Sequence, residues 1–189
     1  MSGQMTELDA VNEVLSAVGQ QPAQTLEAGT YIEAVRIKQM LNRLSREVQS
    51  RGWWFNEEED ITLQPDPTGN IKLGTNIINA TVLDDRDGSL VQRGVNIYDR
   101  KNRTYEIKGN IKVNVCLFLT WEELPQVAKE YIISLTAVKF NSGYTNLQDI
   151  IPDLQSTMTS RYAQMLIEDK RSRDINLLRN TRIRGIAFN

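Results

Sequence analysis

The stretch SRGWWFNEEEDITL, Ser50 to Leu63, packs a glycine, three consecutive aromatics and four consecutive acids into fourteen positions. Two readings of it compete. Carboxylates beside tryptophans are the material of a sugar-cleaving site, and the same residues also suit a corner where a helix ends and a strand begins. A glycosidase needs two carboxyls facing each other across about 5 to 9 Å. Adjacent residues that leave a helix for a strand point alternately to opposite sides, which makes no such pair. Glu57, Glu58, Glu59 and Asp60 therefore read as a solvated edge, with a polysaccharide hydrolase built on them as the alternative. Gly52 can take the left-handed conformation that stops a helix. Arg51, Gly52, Trp53, Trp54, Phe55 and Asn56 then form a hinge, the large rings filling an apolar joint.

The residues on either side support the corner. Upstream, Ile32, Val35, Met40, Leu41, Leu44 and Val48 recur at helical spacing. Thr30 and Glu33 stand where a reciprocal capping box opens a helix. An earlier helix carries Leu8, Val11, Leu15 and Val18, with Thr6 as its cap and Gly19 and Pro22 at its close. Downstream the period shortens to two. In TYEIKGNIKVNVCLFL, Tyr105, Ile107, Ile111, Val113, Val115 and Leu117 alternate with polar residues, which predicts a hairpin turning at Gly109-Asn110. The fragments DITL, NIKL, NATVL, SLVQ and VNIYD are further strands, separated by the turn-forming PDPTGN, DDRDG and DRKN.

Helical spacing returns after Trp121. Ala128, Tyr131, Ile132, Leu135 and Val138 make one apolar face, with Pro125 at the helix start and Gly143 at its end. A last long helix opens near Pro152 and carries Leu154, Met158, Tyr162, Met165 and Leu166. The expected fold is α+β: an antiparallel helical bundle built from N- and C-terminal helix pairs, with an inserted antiparallel β-sheet or small sandwich. The boundaries read as 1–52 with 122–175 for the bundle, 53–121 for the insertion and 176–189 for a basic tail.

Composition narrows the chemistry. The 189 residues carry 22 bases, 24 acids and no histidine, for a net charge of -2. The imbalance is local: Lys170, Arg171, Arg173, Arg179, Arg182 and Arg184 face one acid, Asp174, leaving the preceding body acidic. Without histidine, and with Cys116 as the single cysteine, structural zinc sites, Ser-His-Asp triads, Cys-His pairs and internal disulfides are ruled out. No cofactor or metal is expected. Asp84-Asp85-Arg86-Asp87-Gly88 hints at calcium, but its glycine comes too early and Asn96 stands where a closing glutamate belongs, so it reads as a turn. No apolar run approaches the roughly 20 residues that span a bilayer, and the start lacks the features of a signal peptide. A soluble protein of a reducing cytoplasm is expected, with no membrane partner. The C-terminal bases read either as a solvated helix end or as an arm for an acidic partner or for DNA phosphates. The interleaved Ile175, Leu177, Leu178 and Ile183 favour a docking arm.

Four stretches carry a family resemblance: LDAVNEVLSAVGQQPAQTLE (Leu8–Glu27), LNRLSREVQSRGWWFNEEEDITLQPD (Leu41–Asp66), VQRGVNIYDRKNRTYEI (Val91–Ile107) and WEELPQVAKEYIISLTAVKFNSG (Trp121–Gly143). Together they resemble the tail tubular protein A family of short-tailed bacteriophages, from about residue 8 to 180. The resemblance implies a structural part and not an enzyme: a head-to-tail adaptor, or gatekeeper, made in the host cytoplasm and placed at the capsid's portal vertex. It implies a ring of twelve copies between the portal protein and a nozzle resembling tail tubular protein B. Double-stranded DNA would pass through that ring without specific binding, as an acidic body allows. On charge and loop position, Lys170 to Arg184 are expected to dock the portal, and the loops Asp84–Gly88 and Asp99–Arg103, including Arg100 and Lys101, to face the nozzle.

Overall fold

The computed structural model describes residues 4–27, 31–85 and 87–185, with side chains as far as 174. The fold is mixed α+β, with four α-helices and small antiparallel sheets among the described residues. The chain forms two compact units, one of Met1–Val48 with Thr120–Asn189, the other of Gln49–Leu119.

In the first unit, α1 (Glu7–Ala17) begins with the expected Thr6 cap. Asp9 N–H donates to Thr6 Oγ1 at 3.1 Å, while Thr6 N–H donates to Asp9 Oδ2 at 2.9 Å, so two orphan amides are satisfied reciprocally. Helix α2 (Ile32–Gln49) buries Ala34, Ile37, Leu41, Leu44 and Val48, a stripe at alternating spacings of three and four. Ile32, expected in that stripe, is 62% exposed at the first helical position. The expected partner of Glu33 in a capping box, Thr30, lies outside the described residues.

Helix α3 (Gln126–Phe140) is covered on more than one side, since α1 and α4 (Ile151–Gly185) both pack on it. Its buried set extends beyond the predicted face to Ile133, Ser134, Thr136 and Ala137, whereas Tyr131, Leu135 and Val138 are half-buried. The two hydroxyls bond back along the helix, Thr136 to Ile132 C=O at 2.7 Å and Ser134 to Tyr131 C=O at 2.9 Å, so neither is stranded. After Phe140 the chain makes a π-turn (Asn141–Thr145) that ends on a left-handed Asn146. Buried Asn141 closes it, accepting from Leu147 N–H at 3.0 Å and donating to Leu147 C=O at 3.1 Å.

The stripe of α4 is narrow: half-buried Ile151, Leu154, Met158 and Tyr162, then fully buried Met165. Tyr162 meets Tyr131 of α3 at 5.1 Å between ring centres, and Arg161 pairs with Glu130 at 2.6 Å. The segment set apart in the sequence as 176–189 continues as helix through Gly185. Helix α4 has 35 residues against 15 in α3. At 1.5 Å per residue that is roughly 52 Å against 22 Å, so the C-terminal half of α4 runs on past the helix it packs against.

The second unit holds β1 (Glu57–Leu63), β2 (Ile77–Val82), β3 (Leu90–Arg93), β4 (Asn96–Asp99) and β5 (Ile111–Leu117). The sheet order is β1-β5-β2, all antiparallel, with β3-β4 as a separate hairpin. The Gly109 hairpin expected from sequence does not form: β5 is flanked by β1 and β2, which occupy its hydrogen-bonding edges. TYEIK and NIKL keep only isolated bridges. Their alternation has another cause, because Ile71, Leu73 and Ile107 point into the core with Ile97, Ile111, Val113 and Val115. Gln92 ties the hairpin to β2, accepting from Ala80 N–H at 2.7 Å.

Candidate interaction surfaces

The corner Arg51–Asn56 is built around one polar side chain. Gly52 is left-handed (φ 78°), and the chain turns so that Trp53 is only 2% exposed, with the Arg51 guanidinium 5.3 Å from its ring centre. Asn56, 1% exposed, accepts from Trp53 N–H at 2.9 Å and donates to Gln49 C=O at 3.0 Å and Leu117 C=O at 2.7 Å. Leu117 N–H returns a bond to Asn56 C=O at 2.8 Å. The Cys116 thiol donates to Gln49 C=O at 3.0 Å, and burial pushes its pKa up, which keeps it protonated and inert. Trp54 and Phe55, expected to be buried with Trp53, are half-buried and meet edge to face at 5.0 Å.

The acids that follow form no reacting pair. They begin edge strand β1, opposite Cys116 and Val115 of β5, and Glu58, Glu59 and Asp60 are exposed. A bulge between Glu58 and Ile61 puts Asp60 at φ 59°, where Lys112 Nζ binds its carboxylate at 2.8 Å. Charges along an exposed edge of this kind oppose pairing with stray strands.

The acidic loop Asp84–Gly88 and the basic loop Asp99–Arg103 lie side by side. Lys101 Nζ reaches Asp87 at 2.8 Å, the Arg100 guanidinium donates to Gly88 C=O, and Arg100 N–H donates to Ser89 C=O at 2.8 Å. Each loop is also braced internally. Asp85 accepts from Leu90 N–H at 2.5 Å, and Asp99 accepts from Lys101 and Asn102 N–H at 2.8 and 2.9 Å. Those amides, with the Asn102 side chain, hold the Asp99 carboxyl below the usual carboxylate range. Asp84, Asp85, Asp99 and Glu106 border a hollow of about 600 Å³ beside these loops. Arg103 adopts φ 56° at the tip, and Arg86 lies outside the described residues.

On α4, Arg173 is already engaged by Asp169, its Nε at 3.0 and 3.1 Å from the two carboxylate oxygens. Arg171 stands 4.0 Å from Glu168, and Lys170 is exposed. The side chains of Arg179, Arg182 and Arg184 lie outside the described residues, on helical backbone.

Two features escaped the sequence reading. One is Lys129, 2% exposed on α3, its ammonium 5.8 Å from the Trp121 ring and its pKa pushed down by burial against the pull of Glu122. The other is a groove of about 250 Å³ between α1, α3 and α4. Ala17, Ile133, Ala137 and Leu154 give it apolar walls, and Glu13, Glu130 and Arg161 line it too. Both need helix neighbours that periodicity does not identify. Among the described residues no three or more acids or cysteines gather where they could hold a metal, and no helix is long and apolar enough to cross a membrane.

Among the described residues these surfaces lack converging reactive groups and consist of braced loops, a helix that exposes Lys170 and Arg171, and a groove with apolar walls. Comparison with known proteins agrees with that character: the family model described as "Tail tubular protein" matches residues 8–177. The chain belongs to the tail tubular protein family. It is 29% identical over 182 residues to tail tubular protein A of Klebsiella phage KP34, covering 94% of this chain and 90% of the relative. As a tail tubular protein it is a structural component of a bacteriophage tail, and so of the virion. The hydrolase alternative has no support from this family or from the edge-strand acids.

Proposed function

We propose that this tail tubular protein is the ring-forming adaptor that joins the portal to the tail nozzle of a short-tailed phage and forms part of its DNA ejection channel. The observation that carries the reading is α4, a helix of 35 residues whose basic C-terminal half outruns its packing partner. A helix that runs on past α3, and bears Lys170, Arg171, Arg173, Arg179, Arg182 and Arg184, is suited to enter another protein. We assign it to the portal, and the braced loops Asp84–Gly88 and Asp99–Arg103 to the nozzle. Arg51–Asn56 is the hinge between a bundle of N- and C-terminal helix pairs and the β insertion. The ring has twelve copies, and DNA slides past its acidic bodies without specific contacts.

Truncation after Asp174 tests the docking. It removes Arg179, Arg182 and Arg184 together with a stretch of helix beyond the reach of α3. Capture by immobilised portal is expected to be lost while the thermal melt stays unchanged. Undiminished capture by the folded, truncated protein refutes the assignment. Solution mass with and without portal reads the copy number.

A further inference from the structure

We propose that neighbouring copies join through unlike patches of the helical unit: the outer face of α4 around Ile167 on one copy fills the groove between α1, α3 and α4 on the next. The inference rests on the ring proposed above and names its contact. At about 250 Å³ the groove falls below the roughly 300–1,000 Å³ typical of small-molecule sites, and its Ala17, Ile133, Ala137 and Leu154 walls suit an aliphatic side chain. Its electrostatics call for a cation beside that side chain. Glu13, Glu130 and Asp153 line the groove against one base, Arg161, which pairs with Glu130 at 2.6 Å. Burial and the Glu130 carboxylate raise the pKa of Glu13 against the opposing pull of Arg161, so a further positive charge would relieve it.

The chain itself carries the matching shape. Ile167 is 63% exposed and Leu166 38%. At about 100° per residue, Ile167 lies some 200° round the helix from buried Met165, on the side away from α3. Lys170 and Arg171, both exposed, follow at the three- and four-residue spacings that put them on the same face. An aliphatic knob with two bases thus meets an aliphatic-walled hole whose three acids outnumber its one base. Ile167 stands on the same rigid helix beyond Arg161, the last groove residue of α4, about 9 Å along the axis and roughly a quarter-turn or more away, so one copy cannot fill its own groove. A contact between unlike patches propagates from copy to copy and closes into a ring when the rotation permits. On this contact Lys170 and Arg171 serve the neighbour in place of the portal, and the portal assignment narrows to the bases from Arg179 onward.

The test uses the full chain carrying both Ala17→Cys and Ile167→Cys, mildly oxidised with and without portal. A disulfide requires Cα atoms about 4.4–6.8 Å apart, so a covalent ladder forms only if the patches meet. Wild type, with Cys116 buried, is the control and is expected to stay unlinked. Adding Glu13→Lys or Arg171→Glu should slow the ladder about tenfold, and adding both should restore it. No ladder, alongside oligomers in native mass spectrometry, overturns this contact and leaves the ring standing. Monomers alone under every condition, portal included, overturn both. A ladder indifferent to the two charge reversals overturns the charge pairing and with it the proposed match.

Discussion

Asn56→Ala should be among the most damaging single changes in the β unit, although it removes only an amide. The side chain is 1% exposed and makes three bonds with backbone at 3.0 Å or less. Alanine leaves the Trp53 N–H without its acceptor and takes a donor from Leu117 C=O. Orphaning a buried polar group costs about 1–3 kcal/mol. Gln49 C=O is cushioned, because Gly52 N–H at 3.1 Å and the Cys116 thiol at 3.0 Å still reach it. That bond is worth the ordinary net of about 1 kcal/mol, bringing the whole loss to about 3–7 kcal/mol. Such a loss is a large part of the stability of most domains. Urea unfolding followed by tryptophan fluorescence should show a lower midpoint at an unchanged slope. Asn56→Asp is the sharper variant. It keeps the acceptor for Trp53 but turns the donor into a charged oxygen facing two carbonyls, so at pH 7 it should be worse than alanine. Its deficit should shrink as pH falls through the carboxyl range, where the protonated acid can donate again. A midpoint for Asn56→Ala within about 1 kcal/mol of wild type, or Asn56→Asp no worse than alanine at pH 7, would refute the hub.

Three further outcomes follow from the burial pattern. Trp53→Ala should cost about 3–5 kcal/mol, the usual loss for a buried ring, and an unshifted thermal melt contradicts it. Glu13→Gln should raise the melting temperature at pH 7. A carboxyl whose folded pKa exceeds its unfolded value is penalised while ionised, and the penalty fades as pH falls through the folded pKa, so the two proteins should converge below about pH 4. Lys129→Met should hold or raise stability, since it replaces a desolvated cation with an apolar chain of similar length, and a marked fall in melting temperature counts against that reading.

Local signals in the sequence led to the right elements wherever one element determined the answer by itself. The Thr6 cap needs only Asp9 three residues on, and the stop at Gly52 needs only a glycine free to reach φ 78°. Errors arose where a residue's neighbours come from distant parts of the chain. TYEIK alternates like a strand because Ile107 enters the core, but period two says nothing about which partner donates to its backbone. Both flanks of β5 are taken by β1 and β2, with Ile61 paired to Val113 on one side and Val82 paired to it on the other. Helix α3 was given one face because its aromatic and leucine positions outweighed Ile133 and Ala137, and only the presence of α1 and α4 on different sides makes the second face necessary.

The same distinction separates the surfaces that could be read from those that could not. Asp85, Asp99 and Lys101 stood out as loop residues on composition, and the β3-β4 register then brings their loops together by pairing Leu90 with Asp99. The groove gave no sequence signal, because Glu13, Glu130 and Arg161 sit on three helices and each alone resembles an ordinary surface charge. Ile167 did carry a signal. It is an apolar β-branched residue two positions past the buried Met165, out of phase with every other member of the α4 stripe. In an isolated chain such a residue is an exposed liability. Under the proposed contact between copies, a side chain out of phase with the fold is where the next subunit has something to hold, and two bases one turn away would decide which surface of that subunit it meets.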